Sequence, residues 1–152
     1  MRDKRHYLAL GSIRYLAEAG ATSATYFETV GERGVMDAQV FPMYHVLADV
    51  AEFVGGEVAE SKSSEPLKVD GLVLHKHKRT RVLLANLTDE MQSVSLSRLG
   101  AKVTVKGLDE TNVMMAMRSP EKYRAQVGEV VKATDGKLDI DLLPYAWVRI
   151  DG

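Results

Sequence analysis

The spacing of apolar residues changes once along this chain, and the change falls at Gly55-Gly56. Ahead of that pair the apolar positions recur every third or fourth residue, the repeat of a helix with one buried stripe. From Glu57 onward they recur every second residue, the repeat of a strand with one buried face. A chain that keeps the two repeats in separate blocks is α+β, with its helices gathered before a largely antiparallel β unit. The expected division is residues 1–56 as a helix-strand-helix unit and residues 57–152 as an antiparallel β-sandwich.

In the first block Leu10, Ile13, Leu16 and Ala17 form one helical stripe, extended a turn back by Tyr7 and Leu8. Asp3 is placed to cap this helix, and Gly20 to end it in the left-handed conformation. Thr22-Ser23-Ala24-Thr25-Tyr26-Phe27 is short and rich in β-branched and aromatic residues, which predicts a strand, broken by Gly31-Glu32-Arg33-Gly34. A second helix starts at Phe41-Pro42, where proline suits the first turn. Its stripe is Met43, Val46, Leu47, Val50, Ala51 and Val54, widened by Phe41, Tyr44 and Phe53 until burial on more than one side is expected.

The second block predicts strands around Leu67 to Leu74, Arg81 to Leu87, Val94 to Leu99, Val103 to Leu108, Val113 to Met117, Leu138 to Leu142 and Ala146 to Ile150. Their short length, even spacing and intervening turn residues suggest a sandwich. His77-Lys78-Arg79-Thr80 is short and polar, so the first two of these strands form a hairpin. Ser119-Pro120-Glu121 opens a single helical turn.

A lone strand between two apolar helices poses a physical problem. Its backbone donors and acceptors need partners on both sides, and burying them unpaired is costly. Three partners are available in principle: the sandwich, a second copy of the chain in a homodimer, or further strands of a sheet not included here. The order helix, strand, helix followed by an all-β unit matches the last part of a parallel (β/α)8 barrel with an appended sandwich.

The residues themselves point the same way. Ala19 to Met36, containing Tyr26-x-Glu28-Thr29-x-Gly31-x-Arg33-Gly34, resembles the last barrel strand of glycoside-hydrolase-like (β/α)8 enzymes, and Val40-Phe41-Pro42-Met43-Tyr44-His45-Val46-Leu47 resembles their final helix. Arg81 to Thr88 and Leu142 to Asp151 are similar to the C-terminal sandwich of such enzymes. Among these families the D-apionate lactonases share the Tyr-x-Glu-Thr-x-Gly-x-Arg-Gly run and the sandwich ending. The resemblance covers nearly the whole chain but only the C-terminal part of that architecture. It implies hydrolysis of a sugar-derived lactone or a glycoside, with no cofactor, by an enzyme of which this chain alone is expected to be inactive.

Under that resemblance the strand end carries the chemistry, because barrel enzymes place catalytic groups at the C-terminal ends of their strands. Glu28 is the candidate catalytic carboxylate. Tyr26, Thr29 and Arg33 are candidate substrate-binding residues, Arg33 suited to a sugar carboxylate or to orienting a glutamate. The plain alternatives are a solvated Glu28 and an Arg33 tied to the core by an ion pair. Glycoside hydrolysis uses two carboxylates about 5–10 Å apart, so a second group would come from other strands.

Other candidates are weaker. His75 and His77 have the i, i+2 spacing that places two imidazoles on one face of a strand, but no third ligand lies nearby in sequence. His45 falls within an apolar helix and reads as a hydrogen-bonded packing residue. Trp147 reads as core rather than as a sugar-stacking platform, and Met114, Met115 and Met117 as adaptable filler.

The 20 basic and 21 acidic residues leave a net charge of −1, which gives no field for a nucleic acid or an anionic membrane. The basic cluster Lys76, Lys78, Arg79 and Arg81 lacks interleaved aromatics and reads as a solvated turn. Without cysteine there are no disulfides, thiolate metal sites or thiol nucleophiles, in keeping with a cytoplasmic protein. No secretory signal and no apolar run of membrane-spanning length is visible. The competing reading is a non-catalytic sugar-binding or assembly module, which predicts a row of exposed aromatics on a closed sandwich.

Overall fold

The structure, a computed structural model, describes residues 5–25 and 28–152, with side chains from Ala9 onward. It is α+β. Helices α1 (Arg5–Glu18) and α2 (Pro42–Ala51) bracket two short strands, β1 (Glu28–Val30) and β2 (Gly34–Met36). Then come β3 (Glu57–Ala59), β4 (Val69–Lys76), β5 (Arg79–Asn86), β6 (Gln92–Leu96) and β7 (Lys102–Leu108). An elbow of two short helices, α3 (Val113–Arg118) and α4 (Pro120–Ala125), precedes β8 (Glu129–Lys132), β9 (Leu138–Leu142) and β10 (Trp147–Asp151).

Three layers result. The middle layer is an antiparallel sheet ordered β3-β4-β5-β10-β7-β8, and the β6-β9 ribbon forms a second β layer. Strand alternation sends side chains to both neighbours of the middle sheet. Leu83 and Ala85 of β5, Leu72 and Leu74 of β4 and Trp147 of β10 face the helices, where they meet Leu10, Val46, Phe53, Ala116 and Tyr123. Val82 and Leu84 of β5 and Val148 and Ile150 of β10 face the ribbon, against Leu138 and Leu142. This two-sided burial is why Val82 to Ala85 is an unbroken apolar run rather than an alternating one.

Several expectations hold in detail. Helix α2 starts with Pro42 in its first turn after an extended Phe41. Gly20 and Gly55 both have positive φ, 74° and 80°, and close the helical turns before them. The β4–β5 hairpin turns at His77-Lys78 with Lys76 opposite Arg79, and His77 itself has φ 56°. Pro120 opens a helical turn, as anticipated. No helix among the described residues is long and apolar enough to cross a membrane.

Three expectations are corrected. Of the strand anticipated at Thr22–Phe27, residues 22–25 are not strand, residues 26 and 27 lie outside the described residues, and β1 is Glu28–Val30. Nor is that strand alone, because β2 pairs with it in parallel, Glu28 opposite Gly34 and Val30 opposite Met36. Met114 to Met117 are helical, not extended. Asp109 caps the turn before them through Thr111, and Val113 N–H donates to the Asp109 carbonyl at 2.9 Å. Ala and Met favour the helix once that turn is set. Strands β3 and β8 were not anticipated, since Glu57–Ala59 and Glu129–Lys132 are short, exposed edge strands with little apolar alternation. The expected cap Asp3 lies outside the described residues, as do the side chains of Tyr7 and Leu8.

Candidate functional site

Glu28, Thr29 and Arg33 are brought together by one strand-turn-strand of nine residues. Glu28 and Thr29 lie in β1, where both are exposed, and the chain then loops back through Gly31, at φ 119°, to run parallel to β1 as β2. Gly31 N–H donates to the Met36 carbonyl at 2.9 Å and Gly34 N–H to the Gly31 carbonyl at 2.8 Å, so the turn is closed by its own backbone. Parallel strands joined by only three residues must approach closely, and Gly34 permits it. A Cβ there would stand 2.9 Å from the Glu28 carbonyl oxygen and 3.0 Å from Thr29. The Glu28 carboxylate folds over the turn, 3.4 Å from where a Cβ of Gly31 would be. Arg33 sits at the exposed apex. Glu28 thus lies within β1, and the chain turns outward after Val30. Tyr26 lies outside the described residues.

Several apolar side chains of the first unit are open to solvent. Tyr15 and Leu16 of α1 are 52% and 40% exposed, and Val30 of β1 is 62% exposed. Two open clefts lie elsewhere. One of about 410 Å³ is lined by Lys106, Asn112, Tyr123 and Gln126, and one of about 200 Å³ runs along Ser93, Ser95, Asp139 and Asp141. Neither includes Glu28 or Arg33.

The remaining candidates resolve as follows. His75 is exposed and its Nδ1 lies 2.9 Å from Thr80 Oγ1, while His77 belongs to the turn and does not share a strand face with it. Among the described residues, no group of three or more histidines, aspartates or glutamates is placed to hold a metal ion. Trp147 is 1% exposed and belongs to the helix-side core, so it offers no stacking platform.

Sequence reasoning missed a charged joint between the first unit and the sandwich. Arg81, completely enclosed, donates from Nε to Asp151 Oδ1 at 2.6 Å, and from Nη1 to Glu52 Oε2 at 2.8 Å and the Asp49 carbonyl at 2.9 Å. Its guanidinium lies 4.7 Å from the Phe53 ring centroid. Asp49 takes Arg149 and Arg124 at 3.0 Å each. On the other side of the joint, Arg14 of α1 pairs with buried Asp70 and with the Ser61 carbonyl. Burial alone would raise the Glu52 carboxyl, but the hydrogen bond and charge of Arg81, with Arg124 and Arg149, hold it below the usual carboxylate range. A signal existed: Asp49 stands on the same helical face as Met43 and Val46, and Arg81 opens the most apolar strand. A charge in such a position must have partners.

His45 completes the joint. It is fully buried, with Nε2 3.1 Å from the Ala116 carbonyl and its ring edge-on to Tyr123 at 4.7 Å. Lys106 lies over the Tyr123 ring at 4.4 Å and donates to the Tyr123, Arg124 and Gln126 carbonyls, closing the end of α4.

Comparison with known proteins gives the same two-part picture. Residues 66–150 match the family described as D-apionate lactonase, C-terminal immunoglobulin-like domain. Residues 7–55 match D-apionate lactonase, TIM barrel domain. A sequence comparison with curated proteins gave no match. Among solved structures, the glycoside hydrolase family 30 subfamily 8 xylanase Xyn30A from Clostridium acetobutylicum superposes with a TM-score of 0.72 at 12% identity, over 99% of this chain and 39% of the xylanase. A GH30 endoxylanase from Clostridium papyrosolvens C71 follows at 0.57 and 14%, over 74% of this chain and 28% of its own. CelM2, a bifunctional glucanase-xylanase from a metagenome library, gives 0.53 and 13%, over 72% and 22%. At such identities the likeness is one of fold. The chain spans 39% or less of the length of each of these structures.

Proposed function

This chain belongs to the D-apionate lactonase family, and from that footing we propose that it is the C-terminal region of a hydrolase acting on a sugar lactone or glycoside, with Glu28 on one wall of the substrate pocket. Residues 1–56 close the barrel and residues 57–152 buttress it. Thr29 and Arg33, with Tyr26, bind the sugar hydroxyls or a carboxylate, and Glu28 serves as the acid-base or hydroxyl-binding carboxylate. Lactone hydrolysis adds water across an acyl C–O bond, and a carboxylate beside the carbonyl can take the proton of that water. Further groups are required from other strands, so the chain by itself is inactive in this reading.

The supporting observation is the strand-turn-strand that turns Glu28 and Arg33 outward together, in a first unit whose Tyr15, Leu16 and Val30 are uncovered. Such apolar exposure fits a surface that further barrel elements cover. The test has two parts. The chain as it stands is assayed on sugar lactones and aryl glycosides, with no turnover expected. Turnover that vanishes in Glu28→Gln would overturn the proposed need for further strands. In a longer chain carrying the whole barrel, Glu28→Gln is expected to lower kcat by about 10²-fold or more if Glu28 is the acid-base group. Unchanged kcat and KM there would remove Glu28 from the pocket.

A further inference from the structure

The α3–α4 elbow belongs in sequence to the sandwich, yet it holds the first unit at three points. Val40 N–H, in the loop that follows β2, donates to the Met117 carbonyl at 3.2 Å. His45 of α2 meets the Ala116 carbonyl at 3.1 Å. Asp49 of α2 pairs with Arg124 at 3.0 Å. The first of these contacts fixes the loop that joins β2 to α2.

The middle contact has a definite protonation state. A carbonyl oxygen only accepts, so Nε2 of His45 must carry the hydrogen and Nδ1 must be the bare nitrogen. Nδ1 is buried and has no hydrogen-bond partner among the described residues. A second proton would therefore place an N–H donor in the core with no acceptor, together with a full positive charge. The face of Tyr123, a surface that attracts cations, is already taken by Lys106.

The charged groups around the ring do not favour the extra charge. Arg124 of α4, Lys106 of β7, Arg149 of β10 and Arg81 of β5 are cationic, and Asp49, Glu52 and Asp151 oppose them. Asp49 is the carboxylate nearest in sequence to His45 and is shared among Arg124, Arg149 and Arg81. Tyr44 lies edge-on to the ring at 5.2 Å, and burial pushes the Tyr123 phenol well above its ordinary value. Arg14 of α1 is committed to Asp70.

We propose that His45 is an acid-sensitive fastening, whose protonation releases α2 from the α3–α4 elbow and frees the β2–α2 loop held through Val40 on Met117. The proposal goes beyond the hydrolase reading and stands without it. Burial, helped by Arg124 and Lys106 and opposed by the Ala116 hydrogen bond and Asp49, pushes the folded imidazole below the 6.5 of an unperturbed histidine. The unfolded chain then binds more protons than the folded one below pH 6.5, and the fastening weakens as pH falls through that window. Each pH unit between the folded value and 6.5 is a tenfold change in the equilibrium.

The test uses the 152-residue chain and His45→Gln, whose amide can still donate to Ala116 but never gains a charge. Urea unfolding followed by the fluorescence of Trp147 is compared at pH 7.5 and 5.0, with hydrogen exchange of the Val40 amide at both. Wild type is expected to lose stability and at least severalfold protection at Val40 between the two pH values, and His45→Gln to lose neither to the same extent. Equal pH dependence in the two proteins overturns the proposal. Should His45→Gln fail to fold, an NMR titration of His45 in wild type decides. A titration near 6.5 with Val40 protection unchanged overturns the fastening, and a depressed titration accompanied by loss of that protection supports it.

Discussion

Asn86→Ala isolates the hydrogen bonding that locks one end of the sandwich. Asn86 is fully buried at the end of β5. Its Nδ2 lies 2.7 Å from the Glu90 carbonyl, 2.9 Å from Leu143 and 3.2 Å from Leu142, and its Oδ1 accepts from Thr88 N–H at 2.9 Å and Thr88 Oγ1 at 2.8 Å. One amide therefore ties the β5–β6 turn to the segment leading into β10, where Tyr145 adopts φ 55° and donates from N–H to the Thr88 carbonyl. Truncation to alanine strands the Thr88 N–H and takes the side-chain donor from the Leu142 carbonyl, while the Leu143 carbonyl keeps the Ala146 N–H at 3.0 Å. An unsatisfied buried group costs about 1–3 kcal/mol, and water reaches the Glu90 side, so about two such groups remain and the loss is about 3 kcal/mol. With a urea m-value of about 1–3 kcal/mol/M, the midpoint should fall by about 1–3 M, read by Trp147 fluorescence. Asn86→Asp should be at least as damaging, because a carboxylate would face carbonyls instead of donating to them. A midpoint shift below about 0.3 M in Asn86→Ala, equivalent to less than one hydrogen bond, would refute the reasoning.

Arg81→Met removes one cation shared by Asp151, Glu52 and Asp49, which keep Arg149 and Arg124, so the cost is that of the lost charge-assisted hydrogen bonds, about 1.5–3 kcal/mol; chemical denaturation measures it, and a loss under about 1 kcal/mol would show that water replaces the guanidinium. Gly34→Ala forces β2 off β1, so exchange of the Gly31 amide should rise about tenfold or more while the global midpoint moves little, the pair being three residues long and β1 exposed. Glu52 adds a second acid limit distinct from that of His45. Its folded value lies below the 4.5 of a free glutamate, so its contribution is complete above that pH and lost as pH falls through the folded value. Melting curves of Glu52→Gln should accordingly lose the pH dependence below 4.5 but keep that near 6.5.

The sequence by itself determined the sheet and its hairpin, the two long helices, their glycine stops and the family. Each of these rests on a local rule: period-two alternation in Leu72 to Leu74, the unbroken apolar run of Val82 to Ala85, Pro42 in a first turn, and the Tyr26 to Gly34 run. The pairing of Glu28, Thr29 and Arg33 in one segment was legible because all three sit within six residues. What only the tertiary structure decided is long-range. Met114 to Met117 have no periodicity of their own, and the turn built by Asp109 and Asn112 made them a helix. Strand β8 exists because β7 offers an edge to pair with, not because Glu129–Lys132 favours extension. The joint of His45, Asp49, Arg81, Arg124 and Arg149 draws on α2, β5, α4 and β10, up to 100 residues apart in the case of Arg149 and Asp49. Charge pairing depends on distance in space and on exclusion of water, and neither is written in the spacing of residues along a chain.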